Sequence, residues 1–344
     1  MVLPYCEVSV VVVTYNPSGE LIEALKSVRD HNGEPRIIVV DNASNPAGRS
    51  MIDRAVSMGL VDTLLLCDAN LGFARAVNLG IRESSPESDI FLMNPDSILD
   101  PDCLPRLQEE VLREQGVGIA TPVVRSGVGV RTLSAGSLPT IRALFLHYSG
   151  LSRVFSSSSF LEGRYLFSGI HSGRSRDIQW AAGCCLYITR RTIDTIGVLS
   201  ERWFMYGEDI EYCKRALDSG FRIRLVSKAT AFHAMGTSVE STGGRVSVMW
   251  PANTFDFYIT AYGPGILRRA VWRTVFSVGL LSRALAILIL RRRVEGFTLR
   301  SRKLLRFSLA VWTAQPALNP EQGARTSAYR KIAYSKGVSV DGDS

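Results

Sequence analysis

The sequence predicts an α/β fold built on a doubly wound, parallel sheet, and three features predict it. Val8 to Thr14 (VSVVVVT) is an unbroken β-branched run, echoed by Arg36 to Asp41 (RIIVVD) and Asp89 to Met93 (DIFLM). Apolar runs without polar alternation are what strands buried on both faces require. Between the first two runs, Leu21, Ile22, Leu25 and Val28 recur at helical spacing, and Ala74 to Ile81 reads as a second helix. Strands alternating with helices in this order imply a sheet with helices on both faces.

The remaining elements follow along the chain. Val61 to Cys67 is a weaker strand, and Asp100-Pro101-Asp102 opens a helix that carries Leu104, Leu107 and Val111 on one side. From Arg125 to Asp177 the alternation fails; Gly, Ser and Arg dominate, and Ser156 to Ser159 is a serine run. That stretch reads as an insertion or mobile loop over the crevice. Order returns at Trp180 and lasts to about Gly236. The expected division is a catalytic domain over 1–240, with 125–177 as its variable loop, and a helical C-terminal region over 241–344.

Composition narrows the function. A chain that is 46% hydrophobic and 21% charged, without a long low-complexity tract, is not wholesale disordered. The stretch Met1 to Glu7 carries no secretory signal pattern. The six cysteines lack metal or disulfide spacing, which points to reduced thiols. The net charge of +8 is local: Pro264 to Arg306 holds eleven basic residues against Glu295 alone, a local +10 that leaves the rest of the chain at −2.

In sheets of this kind ligands sit beyond the carboxyl ends of the strands. The residues there are Thr14-Tyr15-Asn16, Asp41-Asn42, Asp68 to Phe73 and Asn94-Pro95-Asp96. A nicotinamide oxidoreductase would need Gly-x-Gly-x-x-Gly after the first strand; the turn Thr14 to Gly19 has one glycine, and a P-loop is absent too. Asp41 suits a nucleobase or ribose hydroxyl equally as well as an Asx turn. Asp96, on a proline-stiffened turn, suits a divalent cation over a diphosphate or a capping turn. Glu208-Asp209 enter a helix behind Trp203-Phe204-Met205-Tyr206-Gly207, where the helix dipole favours acids and a pocket-wall carboxylate is the sharper reading. His233 ends an apolar strand, a core histidine or a ligand.

These segments, in order over residues 8 to 237, resemble the inverting family 2 glycosyltransferases of GT-A fold, and within them the bacterial rhamnosyltransferase-like branch. The resemblance rests on Thr14-Tyr15-Asn16-Pro17, Asp41-Asn42-Ala43-Ser44, Asn70 to Asn78, Asn94-Pro95-Asp96-Ser97, Trp180 to Gly183, Gly207-Glu208-Asp209 and His233. It implies a GT-A nucleotide-sugar-binding mixed sheet flanked by helices. It implies that Thr14, Asn16, Asp41 and Asn42 hold base and ribose, that Gly72 admits the nucleotide backbone, and that Arg75, Asn78 and Asn94 line the diphosphate side. Asp96 and His233 become ligands of Mn²⁺ or Mg²⁺, Asp209 the catalytic base, Glu208 its neighbour at the acceptor, and Trp180 a border of the acceptor sugar. Asn94 departs from the family pattern, standing where many relatives carry the first aspartate of the metal motif. The implied donor is dTDP-rhamnose, with UDP-sugars such as UDP-galactofuranose as the alternative, and the acceptor a glycan or polyprenyl-diphosphate-linked glycan in cell-surface polysaccharide synthesis. A non-catalytic nucleotide-sugar-binding relative is the competing class.

The basic region adds a partner. Val275 to Leu290 contains one charge, Arg283, and is short of the ~20 residues of a span. On a helical wheel Arg269, Arg273 and Arg283 share a face and Arg291-Arg292-Arg293 follow, as on a helix lying at an anionic membrane surface. The competing reading is a helix packed on the catalytic domain or within a homo-oligomer. Nucleic acid is not expected, because the arginines come with aliphatic rather than stacking side chains. Peripheral placement at the inner, cytoplasmic face of the bacterial membrane is the expectation. Truncation after Tyr262 is expected to leave a soluble catalytic domain.

Overall fold

A computed structural model describes residues 7–31, 33–126, 133–233, 245–290, 297–319 and 329–334. The sheet starts from β1 (Val8–Thr14), β2 (Arg36–Asp41), β3 (Thr63–Cys67) and β4 (Asp89–Met93), which run parallel in the order β3-β2-β1-β4. Their crossovers are α1 (Glu20–Arg29), α2 (Pro46–Ser57) and α3 (Phe73–Glu83). α2 begins where its sequence says it should: Asn45 accepts the Gly48 amide at 2.8 Å, and Pro46 fills the first turn.

Beyond β4 the sheet becomes mixed. β5 (Ser97–Leu99), α4 (Cys103–Arg113) and β6 (Val117–Ser126) come next, then β7 (Ala135–Gly136), β8 (Arg176–Ile178), β9 (Trp180–Ala181) and β10 (Cys185–Ile188). β10 lies antiparallel between β4 and β6, and β11 (Arg222–His233) pairs β6, β5 and β8. α1, α2 and α4 bury Leu25, Ile52 and Leu107 against one face of the sheet. On the other face lie Val77 and Ile81 of α3 and Ile210 and Cys213 of α8 (Glu208–Asp218), which follows α7 (Arg190–Ile196).

Two expectations are corrected here. Within 125–177 the described residues from 133 onward are built into the protein, with α5 (Ile141–Tyr148), α6 (Leu151–Val154) and a 3₁₀ turn at Ser159–Leu161. Leu133, Leu138, Leu144 and Leu166 are buried, so enough apolar side chains are scattered through the Gly/Ser-rich stretch to dock it. The division at residue 240 is not where the packing divides either. α9 (Arg245–Tyr262), α10 (Ile266–Ile289) and α11 (Phe297–Thr313) share a cluster of Phe255, Trp272, Phe276 and Val311 with Leu144 of α5. β12 (Tyr329–Ala333) adds an antiparallel edge to β3. The Asn253 amide donates to the Met205 carbonyl at 2.7 Å, while Phe204 donates to the Ala317 carbonyl at 2.8 Å. Asn319 donates to the carbonyls of Glu201 and Trp203 at 2.8 and 3.0 Å. The C-terminal region thus holds the loop that leads into α8. Gly236, Gly243-Gly244 and Arg291-Arg292-Arg293 lie outside the described residues.

Candidate active site

The carboxyl ends of β1, β2 and β4 share one edge of the sheet because the three strands are parallel neighbours. Thr14 pairs Asp41 in register, and its buried hydroxyl has no hydrogen-bond partner among the described residues. Asn16 sits at φ 52°, its amide donating to Ser44 Oγ at 2.9 Å and its side chain accepting from Asn45 at 2.7 Å. Asp41 closes the Asx turn foreseen for it, accepting the Ser44 amide at 2.9 Å, while its other oxygen lies 3.9 Å from Arg49. That second oxygen is the one able to receive a ribose or base donor.

Four residues expected at the nucleotide also make contacts within the protein. Asn42 donates to Asn70 Oδ1 and the Gly72 carbonyl at 2.9 and 3.2 Å, and accepts the Leu71 amide at 2.8 Å. Its amide therefore clamps the 70–72 loop. Gly72, at φ 81°, answers a different approach: a Cβ there would stand 2.3 Å from the Phe204 carbonyl, which accepts the Phe73 amide at 2.8 Å. Asn78 is fully buried and bonds the Leu199 backbone at both ends of its amide, with Glu201 as a further acceptor. Arg75 turns to the same Glu201 at 3.5 Å. Polar residues one helical turn apart on α3 look alike in sequence whether they face the crevice or the neighbouring loop.

The cation pair is assembled by strand pairing. β5 and β11 place Ser97 opposite His233, so Asp96 Oδ1 meets His233 Nε2 at 3.0 Å, with Asn94 Nδ2 3.2 Å from the same nitrogen. Burial pushes the imidazole pKa down, but the bond to Asp96 and the negative charges nearby outweigh it and leave it raised. Among the described residues no three His, Cys, Asp or Glu form a metal cluster. One carboxylate, one imidazole and the Asn94 amide oxygen still fit Mn²⁺ or Mg²⁺, which commonly takes few protein ligands and completes its shell with substrate phosphate and water.

Asp209 lies in the first turn of α8, behind a backbone that only a strained turn allows: Tyr206 is at φ 66° and Gly207 at φ 118°. Its oxygens accept the Ile210 amide at 2.8 Å and the Gly183 amide at 3.3 Å. Burial raises its pKa, opposed first by the positive charge of Arg164 and then by these amides. Glu208 is buried, and desolvation together with the charge of Asp209 pushes its carboxyl well above the usual range. Ionisation of the pair therefore favours Asp209, which the Arg164 charge and two backbone amides support, over Glu208, which has less to offset its burial. Trp180 is buried beside it; the indole N–H lacks a partner in bonding geometry yet favours the ionised form of Asp209.

Sequence reasoning missed Arg164. Its buried guanidinium lies 3.7 Å over the Trp180 ring and donates to the Ser137 carbonyl at 2.6 Å. A lone arginine in a Gly/Ser-rich stretch has no periodic pattern to mark it. Gly183-Cys184 form the bridge across the site: Gly183 binds Asp209, while the Cys184 carbonyl accepts the Asn94 amide at 3.0 Å. The strand ends of β1 and β2, the Asp96–His233 pair and the Asp209 carboxylate thus gather around one bridge.

The comparisons agree. Residues 9–167 match the family described as Glycosyl transferase family 2. It is 26% identical over 236 residues to N-acetylglucosaminyl-diphospho-decaprenol L-rhamnosyltransferase of Mycobacterium tuberculosis, covering 65% of this chain and 75% of the relative. It is 22% identical to the low-salt glycan biosynthesis hexosyltransferase Agl10 of Haloferax volcanii, over 66% of this chain and 67% of that protein. In fold it is similar to a mannosyltransferase of Pyrobaculum calidifontis solved with GDP-Man and Mn²⁺, at TM-score 0.56 and 15% identity over 90% of this chain and 87% of the other. GalNAc-T7 with UDP, GalNAc and Mn²⁺ matches at TM-score 0.50 and 14% identity, over 75% of this chain and about half, 51%, of that one.

Proposed function

We propose that this protein transfers one sugar from a nucleotide-sugar donor to an acceptor hydroxyl in a single inverting displacement, assisted by a divalent cation. The observation that carries the reading is the Gly183-Cys184 bridge, which joins the base Asp209 to the Asn94-Asp96-His233 group through two adjacent residues. A base and a diphosphate-binding group must flank the same anomeric carbon for direct displacement.

Asp209 accepts the proton of the acceptor hydroxyl as that oxygen bonds to the anomeric carbon and the bond to the diphosphate oxygen breaks. The electron pair leaves with the nucleoside diphosphate, and the configuration inverts. Asp96, His233 and the Asn94 oxygen would hold Mn²⁺ or Mg²⁺. The cation supplies Lewis-acid stabilisation of the leaving diphosphate. Thr14 and the Asp41 oxygen that faces Arg49 receive base and ribose, with Asn16 fixing the loop beside them. Trp180 forms the acceptor wall, and Glu208, kept neutral, shapes the acceptor side without adding a second negative charge.

dTDP-rhamnose is the favoured donor and a polyprenyl-diphosphate-linked glycan the favoured acceptor, supported by the name of the mycobacterial relative, with UDP-sugars as the alternative donors. Such an acceptor places the enzyme peripherally at the cytoplasmic face of the membrane. Screening nucleotide sugars for thermal stabilisation in Mn²⁺, then assaying transfer with the best donor, tests the reading. Stabilisation without transfer to any acceptor would favour a non-catalytic binder.

A further inference from the structure

α10 turns Arg273 and Arg283 inward. Arg273 lies over Phe255 at 4.1 Å and over Trp312 at 5.5 Å. Arg283 lies over Tyr148 at 4.6 Å and donates to the His147 carbonyl at 3.4 Å. The arginine face that the sequence suggested for a membrane is therefore the side packed on protein. The opposite side carries Leu267, Val271, Val278, Leu281, Leu285 and Leu288, all exposed and spaced by three, four or seven residues along one stripe. From 270 to 290 no exposed residue on this helix is charged.

By length and hydropathy α10 could cross a membrane. It cannot do so in this fold, because Trp272, Phe276 and Leu280 bury its inner side against α9, α11 and α5. A helix committed to protein on one side and apolar on the other lies on a surface.

A second apolar patch adjoins it. Tyr148 of α5 packs so closely on α10 that a Cβ at Gly279 would come within 2.2 Å of its ring. Phe145, one turn earlier, is 52% exposed, and Val154, Phe155 and Phe160 are exposed just beyond. The Arg142 guanidinium covers the Phe160 ring at 4.0 Å. The inner side of this same segment carries Arg164 over Trp180.

We propose that the outward face of α10 and the apolar tip of the α5–α6 segment form one surface that seats on an anionic bilayer and brings a membrane-anchored acceptor to Trp180 and Asp209. A second copy of the chain is the weaker occupant, since it would bring together the exposed Arg268, Arg269, Arg300, Arg302, Lys303 and Arg306 of two basic regions, whereas an anionic bilayer neutralises that charge. The acceptor part of this inference rests on the glycosyl-transfer reading above; the docking part does not.

The test uses the full chain and vesicles of phosphatidylglycerol with phosphatidylcholine. Wild type should co-sediment with them, bind neutral phosphatidylcholine vesicles less, and release only in part at high salt. Leu281→Ser/Leu285→Ser and Phe145→Ser/Phe155→Ser should each lower the vesicle partition coefficient by about tenfold or more. Both should keep wild-type stabilisation by Mn²⁺ and nucleotide sugar, and wild-type transfer to a short water-soluble acceptor. Unchanged vesicle binding in both variants overturns the surface. So does a wild type that ignores vesicles but sediments in solution as a dimer the serine variants dissociate. If vesicle binding behaves as expected and no donor supports transfer, the docking surface stands and the enzymatic reading fails.

Discussion

The guanidinium of Arg164 stacks 3.7 Å above the indole of Trp180, inside the wall against which Asp209 stands. Neither residue is an ion-pair partner of Asp209, yet both favour its ionised form, and Arg164 is the largest influence opposing burial. A buried arginine is costly to desolvate and is tolerated here because an aromatic face and the Ser137 carbonyl receive it. Its field opposes the upward push that desolvation exerts on the Asp209 carboxyl.

Replacing Arg164 should therefore move a pH profile. Asp209 works deprotonated, so kcat/KM rises as pH passes upward through its pKa. Arg164→Met removes the positive charge and lets burial raise that pKa further, shifting the acid limb to higher pH. Arg164→Lys should recover most of the wild-type limb. The groups facing Asp209 from the surrounding elements are Glu208, Tyr206, Tyr165, Cys184 and Cys213; of these Tyr165 and Cys213 also feel the Arg164 charge, and losing it pushes both further up, away from the acid limb. Equal acid limbs in all three proteins would show that the arginine only packs.

Asp209→Asn preserves shape and the two backbone hydrogen bonds' neighbours while removing the proton acceptor. Turnover should fall by at least about 10²-fold with donor affinity nearly unchanged. Glu208→Gln, which replaces an already neutral group, should be milder. Single-turnover transfer together with a nucleotide-binding titration reads both effects.

Chelation should stop transfer, and Mn²⁺ or Mg²⁺ should restore it. Asp96→Ala and His233→Ala should each raise the Mn²⁺ needed for half-maximal thermal stabilisation in the presence of nucleotide by about tenfold or more. Full rate in EDTA would remove the cation from the mechanism.

Gly72→Ala asks for a left-handed residue at φ 81° with a methyl group on the Phe204 carbonyl. Destabilisation by about 2 kcal/mol or more is expected, read by urea unfolding. Because Phe204 leads into the turn before Asp209, turnover should fall as well.

Truncation after Tyr262 should now fail where the sequence favoured success. It deletes Ala317 and Asn319, which brace residues 201–204, together with Trp272 and the edge strand β12. The shortened chain should aggregate or lose donor-induced stabilisation in a thermal shift assay. A soluble, donor-binding fragment would restore the two-part division.

The sequence by itself determined the parallel half of the sheet. Val8–Thr14, Arg36–Asp41 and Asp89–Met93 form at the boundaries their apolar runs mark, because strands buried on both faces need such runs and local pattern suffices to place them. It also pointed to Asp96, Asp209 and His233, each at an element end where a polar residue interrupts an apolar pattern. Which of those polar residues would serve the protein's own loops was settled only in three dimensions. Asn42, Gly72 and Asn78 touch the 70–72, 199–201 and 204 segments, the farthest of these contacts more than a hundred residues away in sequence. The role of Arg164, and what Arg273 and Arg283 of α10 would meet, were hidden for the same reason. Side-chain periodicity tells which face of an element is apolar; only tertiary packing decides what that face, or its opposite, will meet.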